Sequence, residues 1–153
     1  MVIQKNGFYF IDDQYFTDFP DPFLKSNKGE KRPCYYCFSD NRTGLLWMIP
    51  LSSQSKKIQL AKSKIAEGKK DIFHLTCIGG SPGVMLVHDM FPITNKYILA
   101  AYEWNGIAVQ YHDNKEIGEI ESKGKKILAL LRRGVRFTKT QPDVFTIEKA
   151  LSL

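Results

Sequence analysis

The apolar pattern of the chain peaks at residues 45–51. Leu45, Leu46, Trp47, Met48, Ile49, Pro50 and Leu51 follow one another without a polar interruption. Such a run is the pattern of a strand buried on both faces. Period alone does not separate it from a buried helix segment, but the aromatic and the proline favour strand, because proline cannot donate to a ladder and tends to end one. Upstream, Cys34, Tyr35, Tyr36, Cys37 and Phe38 read as a second strand, and residues 40–44 between the two carry turn chemistry, so an antiparallel hairpin is expected. A short aromatic strand is expected over residues 7–11, followed by a short helix capped by Asp12 or Asp13 and reaching Phe16 or Phe19. Pro20 and Pro22 then break regular structure, because a residue before proline is pushed away from helical angles.

Beyond the apolar run the period lengthens. Ile58, Ala61 and Ile65 mark one face of a helix from Ser55 to about Ala66, with Gly68 as its stop. Residues 71–77 and 84–87 read as strands around the turn Gly79-Gly80-Ser81-Pro82-Gly83. Phe91, Pro92 and Ile93 lead on to a hairpin of residues 97–103 and 107–111. Its tight turn is Asn105-Gly106, a pair suited to positive φ. Ile117, Ile120, Gly124, Ile127, Leu128 and Leu131 stripe the longest helix, residues 114–133, ended by Gly134, and Pro142 starts a last short helix through Val144, Ile147 and Leu151. No repeat or linker interrupts this pattern, so residues 1–153 are expected to form a single domain.

Hydrophobic content of 43% and charged content of 25% belong to a soluble globular chain. No apolar run approaches the roughly 20 residues that span a bilayer, and the first seven residues lack the apolar core of a secretion signal. Three cysteines, an odd number, suggest reduced thiols. The expectation is a cytoplasmic protein with no membrane partner. The net charge of +6 is unevenly spread: between residues 55 and 70, six lysines (56, 57, 62, 64, 69 and 70) face one glutamate, Glu67, a local net of +5. A concentrated cationic surface attracts polyanions, nucleic acid first among them, although a merely solvated basic face has the same composition.

Ser52, Ser53 and Lys56 follow directly on the buried strand. A rigid strand end can hold them at fixed positions, while a serine cap followed by an ordinary basic helix would look alike. The polar loop of residues 26–33 carries Lys28, Lys31 and Arg32 and returns to the same end of the first hairpin, so Lys31, Arg32, Ser52, Ser53 and Lys56 could converge. Cys34 and Cys37 have no second pair to complete a zinc set, and on a strand they point to opposite faces. His74, His88 and His112 are widely spaced and default to core or surface positions. The glycine-rich turn lacks the Lys-Ser/Thr ending of a nucleotide-phosphate loop. No cofactor and no metal is expected, which leaves a cationic site without one. That suffices in principle for RNA. The 2′-hydroxyl can attack its own phosphate if one group relieves its proton, another stabilises the added negative charge and a third protonates the leaving 5′-oxygen.

At these residues the sequence resembles a known family. Asp21-Pro22, then Asn27-Lys28-Gly29-Glu30-Lys31-Arg32-Pro33-Cys34-Tyr35, Trp47-Met48-Ile49-Pro50-Leu51-Ser52-Ser53-Gln54 and Met90-Phe91-Pro92-Ile93 are similar in order and spacing to the toxins of type III toxin–antitoxin systems, the ToxN/AbiQ family, with the CptN branch nearest. The resemblance implies an α+β fold: a compact SH3-like antiparallel β-barrel, MazF/Kid-like, with added helices. It implies a metal-independent endoribonuclease leaving 2′,3′-cyclic phosphate and 5′-hydroxyl ends. It also implies an RNA antitoxin, whose repeats are cut into pseudoknots and held with the toxin in a closed protein–RNA hetero-oligomer, in the setting of phage abortive infection. The family's Ser/Thr-Ser step falls on Ser52 and Ser53. Its lysine falls on Lys56, one residue later than in the ToxN branch, with Lys57 as the alternative. The basic residue entering the preceding strand falls on Lys31 or Arg32. Ser52, Ser53, Lys56 and Lys31 are therefore the expected catalytic set, and Lys28, Arg32, Lys57, Lys62 and Lys64 the expected RNA-binding set. The alternatives are a non-catalytic RNA-binding module of SH3-like shape and an ordinary protein-interaction domain.

Overall fold

The computed structural model describes residues 2–24 and 32–152. Nine strands and four α-helices follow one another there: β1 (Phe8–Ile11), α1 (Asp13–Asp18), β2 (Cys34–Ser39), β3 (Leu46–Ser52), α2 (Ser55–Ala66), β4 (Phe73–Ile78), β5 (Ser81–Leu86), β6 (Phe91–Ile93), β7 (Ile98–Ala101), β8 (Glu103–Trp104), β9 (Ile107–Ala108), α3 (Asn114–Arg132) and α4 (Val144–Leu151). The expected first hairpin, the α2 boundaries and the longest helix are present as read from the sequence.

The buried apolar run is β3, and it has partners along both edges. On one edge it pairs antiparallel with β2, from Cys34 opposite Pro50 to Ser39 opposite Leu46. The other edge is shared: β6 covers Leu46, Trp47 and Met48, and β5 covers Leu51 and Ser52. A 3₁₀ turn, Val87–Asp89, lets the chain step past the interval between them. Pro50 lies in that interval, so its missing N–H does not end the strand, which runs on to Ser52. Central placement explains the composition: Trp47, Met48 and Ile49 are fully buried.

The strand path is β4-β5-β3-β2-β1-β7, with β6 beside β3. This is an α+β architecture on a bent antiparallel sheet of seven strands. The expected closed barrel is not formed among the described residues, because β4 and β7 end the path without pairing with each other. β7 is only four residues long before the chain leaves the sheet. The expected hairpin of residues 97–103 and 107–111 is also corrected. β7 pairs with β1, Ala100 opposite Phe10, and only Glu103–Trp104 and Ile107–Ala108 pair across the turn. Asn105 and Gly106 do take the positive φ values, +53° and +79°, that this turn requires.

The helices hold the sheet from several sides. Asp12 caps α1 by accepting from the Gln14 amide at 2.9 Å, and buried Tyr15 donates to the Pro92 carbonyl at 2.7 Å while packing on Phe91 and Tyr97. α3 approaches β2 closely at Gly124, where a Cβ would stand 3.0 Å from Cys37 Sγ. α3 and α4 are tied directly by a two-pronged pair, Arg132 to Glu148 at 2.9 and 2.7 Å. α2 stands apart on its own small core, with Ile58 and Ala61 against Phe73, Val84 and Leu86. Two residues, Ser53 and Gln54, separate the end of β3 from the first residue of α2.

Candidate functional site

At the end of β3 a cavity of about 360 Å³ opens. It is lined by Arg32 and Pro33 before β2, by Leu51 and Ser52 at the end of β3 and Ser53 and Gln54 after it, by Phe10, Ile78 and Tyr102, and by Ser81, Pro82 and Gly83 of β5. The hairpin register brings the two stretches together: Leu51 N–H donates to the Pro33 carbonyl at 3.2 Å. Arg32, Ser52 and Ser53, twenty positions apart in sequence, thus share one wall as expected. Ser52 is 3% exposed, and its hydroxyl accepts from the Gln54 amide at 3.3 Å. Ser53 is exposed.

The N-terminal cap residue of α2, Gln54, is part of this lining. It provides no side-chain hydrogen bond, and the first turn of the helix holds no acidic residue. The first amides of α2 therefore keep donor capacity and a partial positive charge at the end of the helix whose cap, with Arg32, lines the cavity, an arrangement suited to an anion. Phe10 and Tyr102 form the apolar part of the wall, with their rings edge to face at 5.7 Å. Gly83 lets β5 approach β3 closely here: a Cβ on it would come within 3.2 Å of Leu51 Cδ1 and 3.3 Å of the Ser52 carbonyl oxygen.

The other candidate residues are distributed along α2. Lys56 is exposed in the first turn, next to the wall residues in sequence but not among the residues lining the cavity. At 100° per residue it projects from the side away from Ile58. Lys57 is half-buried and Lys62 exposed. Lys64 belongs to a different groove at the far end of α2, with Lys69, Lys126 and Arg136, and lies 3.8 Å from Glu67. Lys28 and Lys31 lie outside the described residues. The lining contributed by Phe10, Tyr102 and β5 was missed from sequence. Its one local signal was the glycine at 83 inside a strand, a mark of close backbone approach.

Other titratable groups sit away from the cavity. Burial pushes the Cys34 and Cys37 thiols up to about 12, so both remain protonated. Cys37 faces the Ile120 carbonyl of α3, and Cys34 the Arg32 carbonyl, both at 3.8 Å. Among the described residues no group of three or more His, Cys, Asp or Glu side chains is placed to hold a metal ion. His74 is buried between β4 and α3. Lys123 Nζ donates to the Phe73 carbonyl at 3.0 Å and lies 3.1 Å from His74 Nδ1, so His74 Nε2 carries the proton toward Glu116 Oε1 at 3.0 Å. Burial holds this imidazole below its ordinary value, with Glu116 partly offsetting it. Thr76 and Tyr111 hydroxyls are hydrogen-bonded alongside. Both ring nitrogens are engaged, which makes this cluster a brace between sheet and helix.

No protein-family model matches the chain, and no curated protein matches its sequence significantly. Solved structures do match its fold. One is AbiQ, a lactococcal anti-phage endoribonuclease belonging to a type III toxin–antitoxin system, with a TM-score of 0.72 and 14% identity over 97% of this chain and 96% of that one. Another comes from a bacterial antiviral system regulated by a processed non-coding RNA, with a TM-score of 0.67 and 15% identity over 95% of this chain and 96% of that one. Over nearly its whole length, then, the chain is similar in fold to AbiQ, the endoribonuclease of a type III toxin–antitoxin system.

Proposed function

We propose that this protein is an endoribonuclease toxin of a type III toxin–antitoxin system. The observation that carries the reading is the cavity at the end of β3, where Arg32, Ser52, Ser53 and the open end of α2 meet, on a fold similar from end to end to an endoribonuclease of that class. The substrate is RNA, whose own 2′-hydroxyl supplies the nucleophile. Arg32 and the first amides of α2 hold the phosphate and take up the charge that grows on its oxygens. Ser52 and Ser53 orient the phosphate or the 2′-hydroxyl. Lys56, whose flexible stem starts one turn from Ser52, and Lys31, which precedes Arg32 in the chain, exchange the protons. The 2′-oxygen bonds to phosphorus as its proton leaves, the bond from phosphorus to the 5′-oxygen breaks, and that oxygen gains a proton. The products are a 2′,3′-cyclic phosphate and a 5′-hydroxyl, with no metal in the reaction. The same surface, extended by Lys28, Lys57, Lys62 and Lys64, takes a repeat-derived RNA pseudoknot as antitoxin, in a closed protein–RNA hetero-oligomer, as in the CptN branch that the sequence resembles. We read the bent sheet as an SH3-like barrel left open, and place the activity in the cytoplasm, with cellular RNA.

The test is incubation of the protein and of Lys56→Ala with an adenine-rich single-stranded RNA in excess EDTA, with fragment ends weighed. Cyclic-phosphate ends from the unmodified protein alone support the reaction and the role of Lys56. Bound but uncut RNA would leave only a binding module, and equal cleavage by both would move the proton-transfer role from Lys56 to Lys57 or Lys31.

A further inference from the structure

The β8–β9 hairpin presents an apolar surface that folding does not use up. Trp104 is 51% exposed and Ile107, directly opposite it in register, is 72% exposed. The indole is nevertheless held in place. Gly79, at φ +58°, forms the turn between β4 and β5, and a Cβ on it would stand 3.0, 3.1 and 3.4 Å from Cδ1, Cγ and Cδ2 of Trp104. Three atoms of the five-membered ring at nearly equal distance mean that one face of the indole lies on this glycine. About half of Trp104 remains exposed. The turn under it is continuous with the cavity wall, because Ile78 precedes it and Ser81 follows it. Tyr102, two residues before Trp104, is itself in that wall, edge to face with Phe10.

A nucleotide asks for two kinds of contact, a cationic or amide cradle for its phosphate and a flat apolar partner for its base. The cavity has the first at Arg32 and the α2 N-terminus. We propose that Trp104, continuing from Tyr102, is a stacking shelf for a nucleobase of the RNA strand whose phosphate lies in the cavity. The proposal rests on the ribonucleotide reading of that cavity and assigns it a substrate-stacking residue. Stacking on a ring tolerates any base, so the shelf positions the strand without selecting its sequence. Gly79 permits this close approach: a Cβ there would crowd the indole, which would have to shift by a few tenths of an ångström, at a φ that L side chains rarely adopt.

The protein carries a built-in reporter. Its two tryptophans are Trp47, fully buried, and Trp104, so changes in emission on adding RNA come from Trp104. The experiment titrates the full chain with a short single-stranded RNA carrying 2′-fluoro groups, which cannot attack the phosphate, and follows emission together with anisotropy of a label on the RNA. The expected result is saturable quenching with the same Kd by both signals. Trp104→Phe should bind within a few-fold of the unmodified protein, and Trp104→Ala should bind roughly 5- to 150-fold more weakly. RNA binding with unchanged emission and an unaltered Kd in Trp104→Ala would overturn the shelf, as would a lack of binding. A blue shift that grows with protein concentration before RNA is added would overturn it in favour of a second copy of this chain. Should Trp104→Ala not fold, the quenching and Trp104→Phe decide alone. Quenching by the blocked RNA with no cleavage of ordinary RNA would sustain the shelf and refute the nuclease reading instead.

Discussion

Two glycines in one helix should respond to alanine with opposite signs. Gly118 and Gly124 both lie in α3, and each gains about 1 kcal/mol of helix propensity on becoming alanine. At Gly118, exposed, a Cβ meets nothing within 4 Å. At Gly124 it meets Cys37 Sγ at 3.0 Å, Phe38 Cε1 at 3.3 Å and Met90 Cε at 3.7 Å. Cys37 is the extra residue of the bulge between Tyr36 and Phe38, so its sulfur is held by the backbone on one side and α3 on the other. Forcing a methyl into such a contact costs typically 1–3 kcal/mol. Gly118→Ala should therefore stabilise by about 1 kcal/mol, while Gly124→Ala ends between neutral and about 2 kcal/mol destabilised. For a chain of this length 1 kcal/mol is about 3 °C in Tm, so thermal unfolding followed by circular dichroism should separate the two variants by roughly 3–9 °C. Cys37→Ala in the Gly124→Ala background removes the closest atom and should recover part of the loss, more than the two changes would give if additive. Equal rises in Tm for both glycine variants would show that α3 does not bear on β2 as closely as described.

Arg32→Ala should lower RNA affinity with a smaller salt dependence, the slope of log K against log salt falling by about 0.7–0.9 for one lost phosphate contact; an unchanged slope would remove Arg32 from the phosphate site. The His74 brace predicts a pH effect on stability. Its folded pKa lies below that of a free imidazole, about 6.5, chiefly through burial. The unfolded chain then binds the proton more readily, so the contribution is complete above about pH 6.5 and is lost as pH falls through the lower, folded value. Urea midpoints at pH 7.5 and 5.5 should drop further for the unmodified protein than for His74→Gln, and parallel drops would refute the assignment.

Much of this fold was legible because its signals are local. Ile58, Ala61 and Ile65 marked the buried face of α2, Asp12 and Asn105-Gly106 served as cap and turn, and the uninterrupted apolar run of β3 pointed to a strand buried on both faces. What escaped was pairing between distant segments. Nothing in Ile98–Ala101 distinguishes a partner in β1 from one across Asn105-Gly106, since two small alanines suit either edge; the choice is made where Tyr102 N–H donates to the Phe8 carbonyl at 2.8 Å and its own carbonyl accepts from Val109. Likewise Pro50 reads as a strand end until the gap between β5 and β6 is seen beside it.

The same distinction separates the two halves of the site. Arg32, Ser52 and Ser53 could be placed together because one hairpin, closed by residues 40–44, carries both stretches to one end. The rest of the lining comes from β1, β4, β5 and the residue after β7, whose approach depends on the whole strand order. The lysines of α2 show the limit of reading charge alone. The net of +5 over residues 55–70, with Lys69, Lys70 and Glu67 included, is a property of the segment, but a helix distributes its share around and along itself: Lys56 beside the cavity, Lys62 on the outside, Lys64 eight residues on from Lys56, or roughly 12 Å, in a separate groove. A ribonuclease needs only one or two of these near the bond that breaks. The others serve a longer stretch of polyanion, so alanine at Lys62 or Lys64 should weaken binding and spare the chemistry, in contrast to Lys56. Single-turnover cleavage at saturating protein separates the two effects, and a fall in the saturated rate for Lys64→Ala would show that its groove and the cavity act as one site.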